Sequence, residues 1–216
     1  VRASWFDRHL TTNVTFFTAD YNDVQESTIK IDPNNNLPTS TIANVAKARS
    51  RGIDFEVSVR PATGLSLSAN IGYLDAKYLD YPVAGCTQLQ TLTRPRPCSQ
   101  DISGRTKAYA PKWSGSLSAN YGFDLSSNLR AKLGSWLYFT SGFYQTATLD
   151  PLLYQSGYAK LDLRASIGSP DEKWELAIIA KNVTDKATGS FRSLMPTSSA
   201  VNVMVERPRS IAIQAS

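Results

Sequence analysis

Apolar and polar residues alternate along most of this chain, and this period of two constrains the fold more than any other feature of the sequence. In residues 52–60 the apolar positions are Ile53, Phe55, Val57 and Val59, and the polar positions are Asp54, Glu56, Ser58 and Arg60. Successive side chains of a β-strand point to opposite faces, so this segment has one apolar and one polar face. The sequence therefore predicts an amphipathic strand here.

The same alternation recurs along the rest of the chain and predicts an all-β protein. We expect eight strands, near residues 10–31, 41–60, 64–78, 108–123, 129–145, 158–168, 174–185 and 200–216, with residues 1–5 forming part of a ninth. The last strand would place Val201, Val203, Val205, Ile211 and Ile213 on one face. No segment stands apart in composition, so we expect a single structural unit.

The connections between these strands alternate between short and long. Short polar turns are expected at residues 7–9, 61–64, 126–128 and 169–173, and long connections near 32–40, 79–107, 146–157 and 186–199. Short turns are typical of strands that are neighbours in an antiparallel sheet. The sequence thus predicts an antiparallel meander with short turns at one end and long loops at the other.

Two fold classes fit this pattern, a soluble β-sandwich and a transmembrane β-barrel. The longest strictly apolar run, Leu176–Ala180, is far too short for a spanning helix, which needs about 20 residues. Several predicted strands are longer than the five or six residues usual in globular sheets, and their polar faces are rows of Ser, Asn, Gly, Lys and Arg. Aromatic residues lie near both strand ends, namely Tyr121 and Phe123 beside a short turn and Tyr73, Trp113, Phe139 and Phe143 toward the long loops. These features favour the barrel, with its two interfacial aromatic girdles.

Charge and cysteine content exclude some functions and leave others open. The net charge is +5, but the basic residues are scattered, so we expect no nucleic-acid partner. Cys86 and Cys98 are the only cysteines and lie in one long connection. A disulfide formed in an oxidising compartment and a pair of free thiols are both compatible with this spacing, and the disulfide is favoured.

A set of short motifs, taken in order along the chain, resembles the TonB-dependent outer-membrane receptors. The motifs are Asn44–Glu56, Leu74–Tyr81, Ala110–Trp113, Tyr158–Arg164, Ala180–Lys186 and Arg207–Ser210. Each motif is loose, but the ordered set covers nearly the whole chain. The resemblance implies that residues 1–216 are the C-terminal portion of a barrel domain, about eight to nine strands of a 22-stranded transmembrane β-barrel, with the plug domain and the signal peptide outside this chain.

The resemblance also implies a function and partners. Such a receptor lies in the outer membrane of a Gram-negative bacterium and captures a scarce ligand (a ferric siderophore, cobalamin or a carbohydrate) for TonB-energised uptake. The implied partners are outer-membrane lipid and lipopolysaccharide, the plug domain in the lumen, TonB acting through the N-terminal region, and the ligand itself, a small molecule or chelated metal. A small stand-alone outer-membrane barrel and a soluble β-sandwich binding module are the alternatives.

We expect no enzyme activity, cofactor or resident metal, because no nucleophile–base–orienting set is recognisable and the single histidine, His9, lies in a short turn. The expected ligand-binding residues are Tyr81, Arg94, Arg96, Arg105, Lys107, Phe191 and Arg192, all in long connections. Clustered guanidinium and aromatic groups suit an anionic or catecholate-like ligand. The alternative is that they are solvated loop residues or contacts to lipopolysaccharide. For Arg130, Lys132, Lys160 and Arg164, contacts to the plug or paired charges are favoured over a ligand site.

Overall fold

Long antiparallel strands follow one another across a single sheet in the computed structural model, which describes residues 1–32, 34, 38–95, 97–195 and 200–216. The strands are β1 (Arg2–Trp5), β2 (Leu10–Ile31), β3 (Pro38–Ala62), β4 (Leu65–Asp80), β5 (Ala84–Gly85), β6 (Ser99–Gln100), β7 (Trp113–Ser126), β8 (Leu129–Thr140), β9 (Phe143–Tyr144), β10 (Tyr154–Gln155), β11 (Tyr158–Gly168), β12 (Glu175–Lys181), β13 (Gly189–Leu194), β14 (Val201–Val205) and β15 (Ser210–Ala215). Within the described ranges, one α-helix, α1 (Gln88–Thr93), and one 3-10 helix (Pro151–Leu153) lie in the long connections.

The predicted meander is confirmed. Nine strands of the described chain pair in the order β1-β2-β3-β4-β7-β8-β11-β12-β15, and each pair is antiparallel. Short turns join them at one end of the sheet. At one of these turns Gly64 has φ +77°, and a Cβ there would lie 2.0 Å from the carbonyl oxygen of Gly122. Only glycine fits this turn, because its conformation and its close approach both exclude a side chain.

The prediction of one continuous strand over residues 200–216 is wrong. Val201–Val205 pairs with Gly189–Leu194 in a separate hairpin, and only Ser210–Ala215 joins the main sheet. Pro208 lies in the break and has no N–H to donate to a ladder. Arg209 bonds through its backbone N–H to Asp185, which turns the chain before β15 begins. The five apolar residues of this segment therefore belong to two different elements.

Three other boundaries differ from the prediction. The strand expected at 108–123 begins at Trp113, and the strand expected at 174–185 is limited to Glu175–Lys181. The strand expected at 129–145 ends at Thr140, after which Phe143–Tyr144 pairs with Tyr154–Gln155. In each case the alternation extends beyond the strand, since a period of two does not show where pairing with the neighbouring strand ends.

The register places the apolar series of neighbouring strands on the same face of the sheet. One cross-strand row is Val57, Ala69, Leu117, Leu137 and Leu161. The next row, one residue along, is Ser58, Ser68, Ser118, Trp136 and Asp162. Because a slip by one residue would exchange the two faces, this register gives one apolar and one polar face across the sheet.

Aromatic pairs mark both ends of the apolar face. Near the long loops, the rings of Tyr73 and Trp113 have centroids 4.9 Å apart. Near the short turns, Tyr121 and Phe123 have centroids 5.1 Å apart. The apolar strip therefore has an aromatic border on either side, an arrangement typical of membrane β-barrels.

The main buried cluster lies at the long-loop end of the sheet. It comprises Ala46, Ala48, Tyr78, Tyr81, Ala84, Ile102 and Leu149. In the described part of the chain β5 and β6 extend the same sheet from β2, the other four strands form two small two-stranded sheets, and no second large sheet packs on the first, as a β-sandwich requires. The core thus fixes the loops rather than filling the space between two layers.

No helix in the described ranges combines the length and the apolar character that a membrane crossing demands.

A charge introduced on the apolar face should disturb barrel assembly, whereas a charge introduced on the polar face should be tolerated. Val57→Arg places a guanidinium on the apolar face, which costs about 2–4 kcal/mol at the middle of a bilayer, whereas Ser58→Arg places it on the polar face. We expect Val57→Arg to lower the yield of heat-modifiable barrel in outer-membrane fractions of cells making the intact receptor, and Ser58→Arg to leave that yield near the wild-type level. Equal losses for the two variants would contradict the assignment of the faces.

Candidate ligand-binding site

The connection over residues 81–112 folds back onto the polar side of the sheet. Ala84 pairs with Thr28 of β2, and β5 pairs in turn with β6. A disulfide joins Cys86 and Cys98, whose Cα atoms are 5.8 Å apart, and it encloses α1. The pairing and the disulfide together hold α1 in place over the end of the sheet.

Helix α1 is short and depends on its cap. The hydroxyl of Thr87 accepts a hydrogen bond from the backbone N–H of Gln90 at 3.3 Å, and the Gln90 side chain accepts one from the backbone N–H of Thr87 at 2.8 Å. This capping box satisfies N–H groups that have no partner within the helix. The cap orients Leu89 and Leu92, which are three residues apart and so lie on one side of the helix.

The connection over residues 141–157 packs beside α1 and is attached to it through Asp150. The Asp150 carboxylate accepts hydrogen bonds from the backbone N–H of Gln88 at 2.5 Å and of Leu152 at 2.9 Å. Asp150 is only 2% exposed. One buried side chain therefore holds the first turn of α1 and the start of the 3-10 helix at a fixed separation.

Two further contacts join the same pair of loops. The Gln100 amide donates to the carbonyl oxygens of Gly85 and Thr148, both at 2.8 Å. The backbone N–H of Tyr109 donates to the carbonyl of Tyr144 at 2.8 Å. The two loops thus form one folded unit with a defined gap between them.

That gap is an open cleft with a volume of about 690 Å³, within the range of small-molecule sites. It is lined by Thr87, Gln88, Leu89, Gln90, Leu92, Gln100, Asp101, Ile102, Arg105, Tyr144, Thr148, Leu149, Asp150, Pro151 and Leu152. Ile102 and Leu149 also belong to the buried cluster and so tie the cleft to the sheet. Leu89 and Leu92 are 71% and 67% exposed.

Of the residues predicted to bind ligand, Arg105 lines the cleft and the other described ones lie elsewhere. Tyr81 is fully buried, and burial, with a smaller contribution from the charge of Glu26, raises the pKa of Tyr81 to about 12. Lys107 donates to the Glu26 carboxylate at 2.9 Å and lies 5.2 Å from the centre of the Tyr78 ring. Tyr81 and Lys107 therefore serve the packing of the loop in this structure.

The remaining predicted residues are dispersed. Arg94 is exposed at the C-terminal cap of α1 and does not line the cleft. Phe191 and Arg192 lie on β13, where Arg192 donates to the Gln155 side chain at 3.2 Å. Arg96 lies outside the described residues. The expected basic cluster around the disulfide is thus not gathered in the cleft by the described side chains.

Sequence reasoning missed the leucines that dominate the cleft. The period of two does not identify them, because they lie outside the alternating segments. These leucines are Leu89, Leu92, Leu149 and Leu152. The three-residue spacing of Leu89 and Leu92 after Thr87, a residue favoured at helix N-caps, was the available sign of a short helix.

Four cations of the polar face, Arg130, Lys132, Lys160 and Arg164, are paired with carboxylates. Lys132 contacts Glu172 at 3.1 Å and Glu175 at 3.2 Å, and Glu175 also pairs with Arg164. The other pairs are Lys160 with Glu206 at 2.5 Å and Arg130 with Asp124 at 3.7 Å. Paired charges, one of the two favoured interpretations, are what this structure contains.

The cleft carries little net charge. Its described charged residues are Arg105, Asp101 and Asp150. Hydrogen bonds from Ser103 lower the pKa of Asp101, so its carboxylate is charged at neutral pH. Among the described residues, no three His, Cys, Asp or Glu side chains are grouped to hold a metal ion. The geometry is that of a non-covalent binding cleft formed from two loops.

Comparisons with known proteins agree with this architecture. Residues 1–183 match the family described as "TonB dependent receptor-like, beta-barrel". Similar solved structures include the siderophore receptor PiuA of Acinetobacter baumannii, with 16% identity and a TM-score of 0.69 over 99% of this chain and 26% of that one. Another is the ferric yersiniabactin uptake receptor FyuA of Yersinia pestis, with 16% identity and a TM-score of 0.61 over 99% of this chain and 35% of that one. A third is BauA, the ferric preacinetobactin receptor of Acinetobacter baumannii, with 19% identity and a TM-score of 0.60 over 97% of this chain and 27% of that one.

The chain belongs to the TonB-dependent receptor β-barrel family, because the family match covers most of its length. It spans between a quarter and about a third of the solved structures named above. The family and these structures are transport receptors of the Gram-negative outer membrane rather than enzymes.

The attachment through Asp150 can be tested in the intact receptor. Asp150→Ala leaves the N–H groups of Gln88 and Leu152 without their acceptor in a buried setting, at a cost of about 1–3 kcal/mol for each such group. We expect faster amide hydrogen exchange across residues 85–100 and 148–153. Asp101→Ala removes a carboxylate from the same cleft at an exposed position and is the matched control. Unchanged exchange in Asp150→Ala, or an equal increase in both variants, would contradict the role of Asp150.

Proposed function

We propose that this chain is the C-terminal part of the barrel domain of an outer-membrane receptor that takes up a scarce ligand with energy supplied through TonB. The cleft between the 81–112 and 141–157 loops carries the proposal, since it is a structured concave site at the long-loop end of the sheet. With the long loops on the cell surface, the cleft meets the external medium. The family match and the likeness of the fold support the same function.

The sheet of this chain is proposed to be part of a larger barrel. In the described structure β1 pairs only with β2, and β15 pairs only with β12. An unpaired strand edge is unfavourable in hydrocarbon because its N–H and C=O groups have no water to bond. Further strands of the receptor, to a total of 22 as the resemblance implies, would satisfy both edges.

A ferric chelate is the ligand class we favour over cobalamin or a carbohydrate. The solved structures named above are receptors for siderophores, ferric yersiniabactin and ferric preacinetobactin. The chain itself contributes binding and no covalent chemistry to uptake. Capture at the cleft would be followed by movement of the plug in the lumen, driven by TonB.

The polar face is the surface proposed to meet the plug, and the apolar face the surface that meets lipid. Paired ions on the polar face, such as Lys132 with Glu175, lower the cost of holding charges beside a second protein layer. Phe191 and Arg192, which lie apart from the cleft, are proposed as additional contacts to ligand or to lipopolysaccharide.

Uptake measurements test this function directly. The full-length receptor containing this chain is produced in a Gram-negative strain that lacks its own ferric-siderophore receptors, in matched tonB⁺ and tonB⁻ backgrounds. Cells then receive ⁵⁵Fe as tricatecholate, hydroxamate or citrate complexes. We expect accumulation of at least one complex above the empty-vector level in tonB⁺ cells and none in tonB⁻ cells. Iron accumulation that is absent for all three complexes, or independent of TonB, would contradict the proposed ferric-chelate receptor.

A further inference from the structure

The surface chemistry of the cleft restricts the class of ligand that it can bind. This inference rests on the proposed function. We infer that it receives an uncharged hydrocarbon arm, such as the acyl chain of an amphipathic chelator, rather than a polyanionic chelate core. The lining has little net charge, its leucines are exposed, and most of its polar groups are hydrogen-bonded within the loops.

The charge of the lining does not match a polyanion. A ligand with several negative charges requires several cationic partners for complementarity. The described lining offers one guanidinium, Arg105, against the carboxylates of Asp101 and Asp150. Lys107 is held by Glu26, and Arg94 lies outside the cleft. The cleft is therefore close to neutral or slightly anionic.

Three leucines on the walls of the cleft are largely exposed to solvent. Leu89 is 71%, Leu92 67% and Leu152 48% exposed, and all three line the same cleft. Apolar side chains gathered at one exposed site, within loops otherwise rich in polar residues, mark binding surfaces. Ile102 and Leu149, which are nearly buried, continue this apolar surface inward to the core.

The polar groups of the walls are largely committed to the loop structure. The Asp150 carboxylate bonds to Gln88 and Leu152, the Gln100 amide bonds to Gly85 and Thr148, and the Gln90 amide bonds to Gln100 at 3.1 Å. A ligand that needs many hydrogen bonds would have to compete with these contacts. An acyl arm would instead bury the leucines, each buried methylene group adding to its affinity.

Paired ligands test the inference. The probes are the ferric complexes of one hydroxamate siderophore with and without a dodecanoyl chain, and binding to the purified full-length receptor is followed by tryptophan fluorescence. We expect the acylated complex to bind at least about tenfold more tightly. The double variant Leu92→Glu/Leu152→Glu should remove this difference, so that the acylated and unacylated complexes bind the variant with equal affinity. Ser99→Glu, an exposed change in the same loop outside the cleft lining, should preserve the difference.

The outcomes separate this inference from the proposed function. Equal affinity for the two complexes, or a preference that persists in the double variant, overturns the inference. Neither result bears on the proposed function, which the TonB-dependent uptake measurement tests separately. Loss of barrel assembly in the double variant but not in Ser99→Glu would mean that the leucines pack against another part of the receptor, and this also overturns the inference. Uptake that does not depend on TonB would overturn the proposed function instead.

Discussion

Backbone hydrogen bonding between strands is the constraint on which the rest of this structure depends. In hydrocarbon every N–H and C=O must be paired within the protein, and strands can achieve this only with their neighbours. The ladder from β1 to β15 does this with register shifts confined to a few positions, such as the bulge between Tyr21 and Val24 in the pairing of β2 with β3. A fixed register then assigns each side chain to the apolar or the polar face.

The separation of faces explains how one short chain meets several environments. The apolar face, bordered by Tyr73 and Trp113 at one end, is suited to lipid. The polar face contains ion pairs such as Lys132 with Glu175. At the long-loop end of the sheet, the same face supports the loops. There Ala48 and Tyr78 pack with Ile102 and Leu149 of the two loops that form the cleft. The ends of the strands thus support the two loops that form the candidate cleft.

The sequence revealed the meander and both faces because these depend on local alternation, which residues 52–60 display clearly. It did not reveal where Val201–Val205 pairs, since the choice between a loop hairpin and the main sheet depends on tertiary contacts such as the bond from Arg209 to Asp185. The sequence predicts a basic ligand-binding set in the 79–107 loop, and of that set Arg105 alone among the described residues lines the cleft. Lys107 is predicted as a ligand contact from its place in that loop, whereas in the structure it donates to Glu26, which is 81 residues away in sequence and is linked to it by no local pattern.

The central property of this structure is that alternate residues of one strand face lipid and the barrel interior. Single spin labels placed at each position from 53 to 59 in the intact receptor, reconstituted in bilayers, give the accessibility of each site to oxygen and to a water-soluble nickel chelate. We expect high oxygen accessibility at positions 53, 55, 57 and 59, and a preference for the nickel chelate or burial against protein at 54, 56 and 58. A profile without this period of two, or one with the opposite phase, would contradict it.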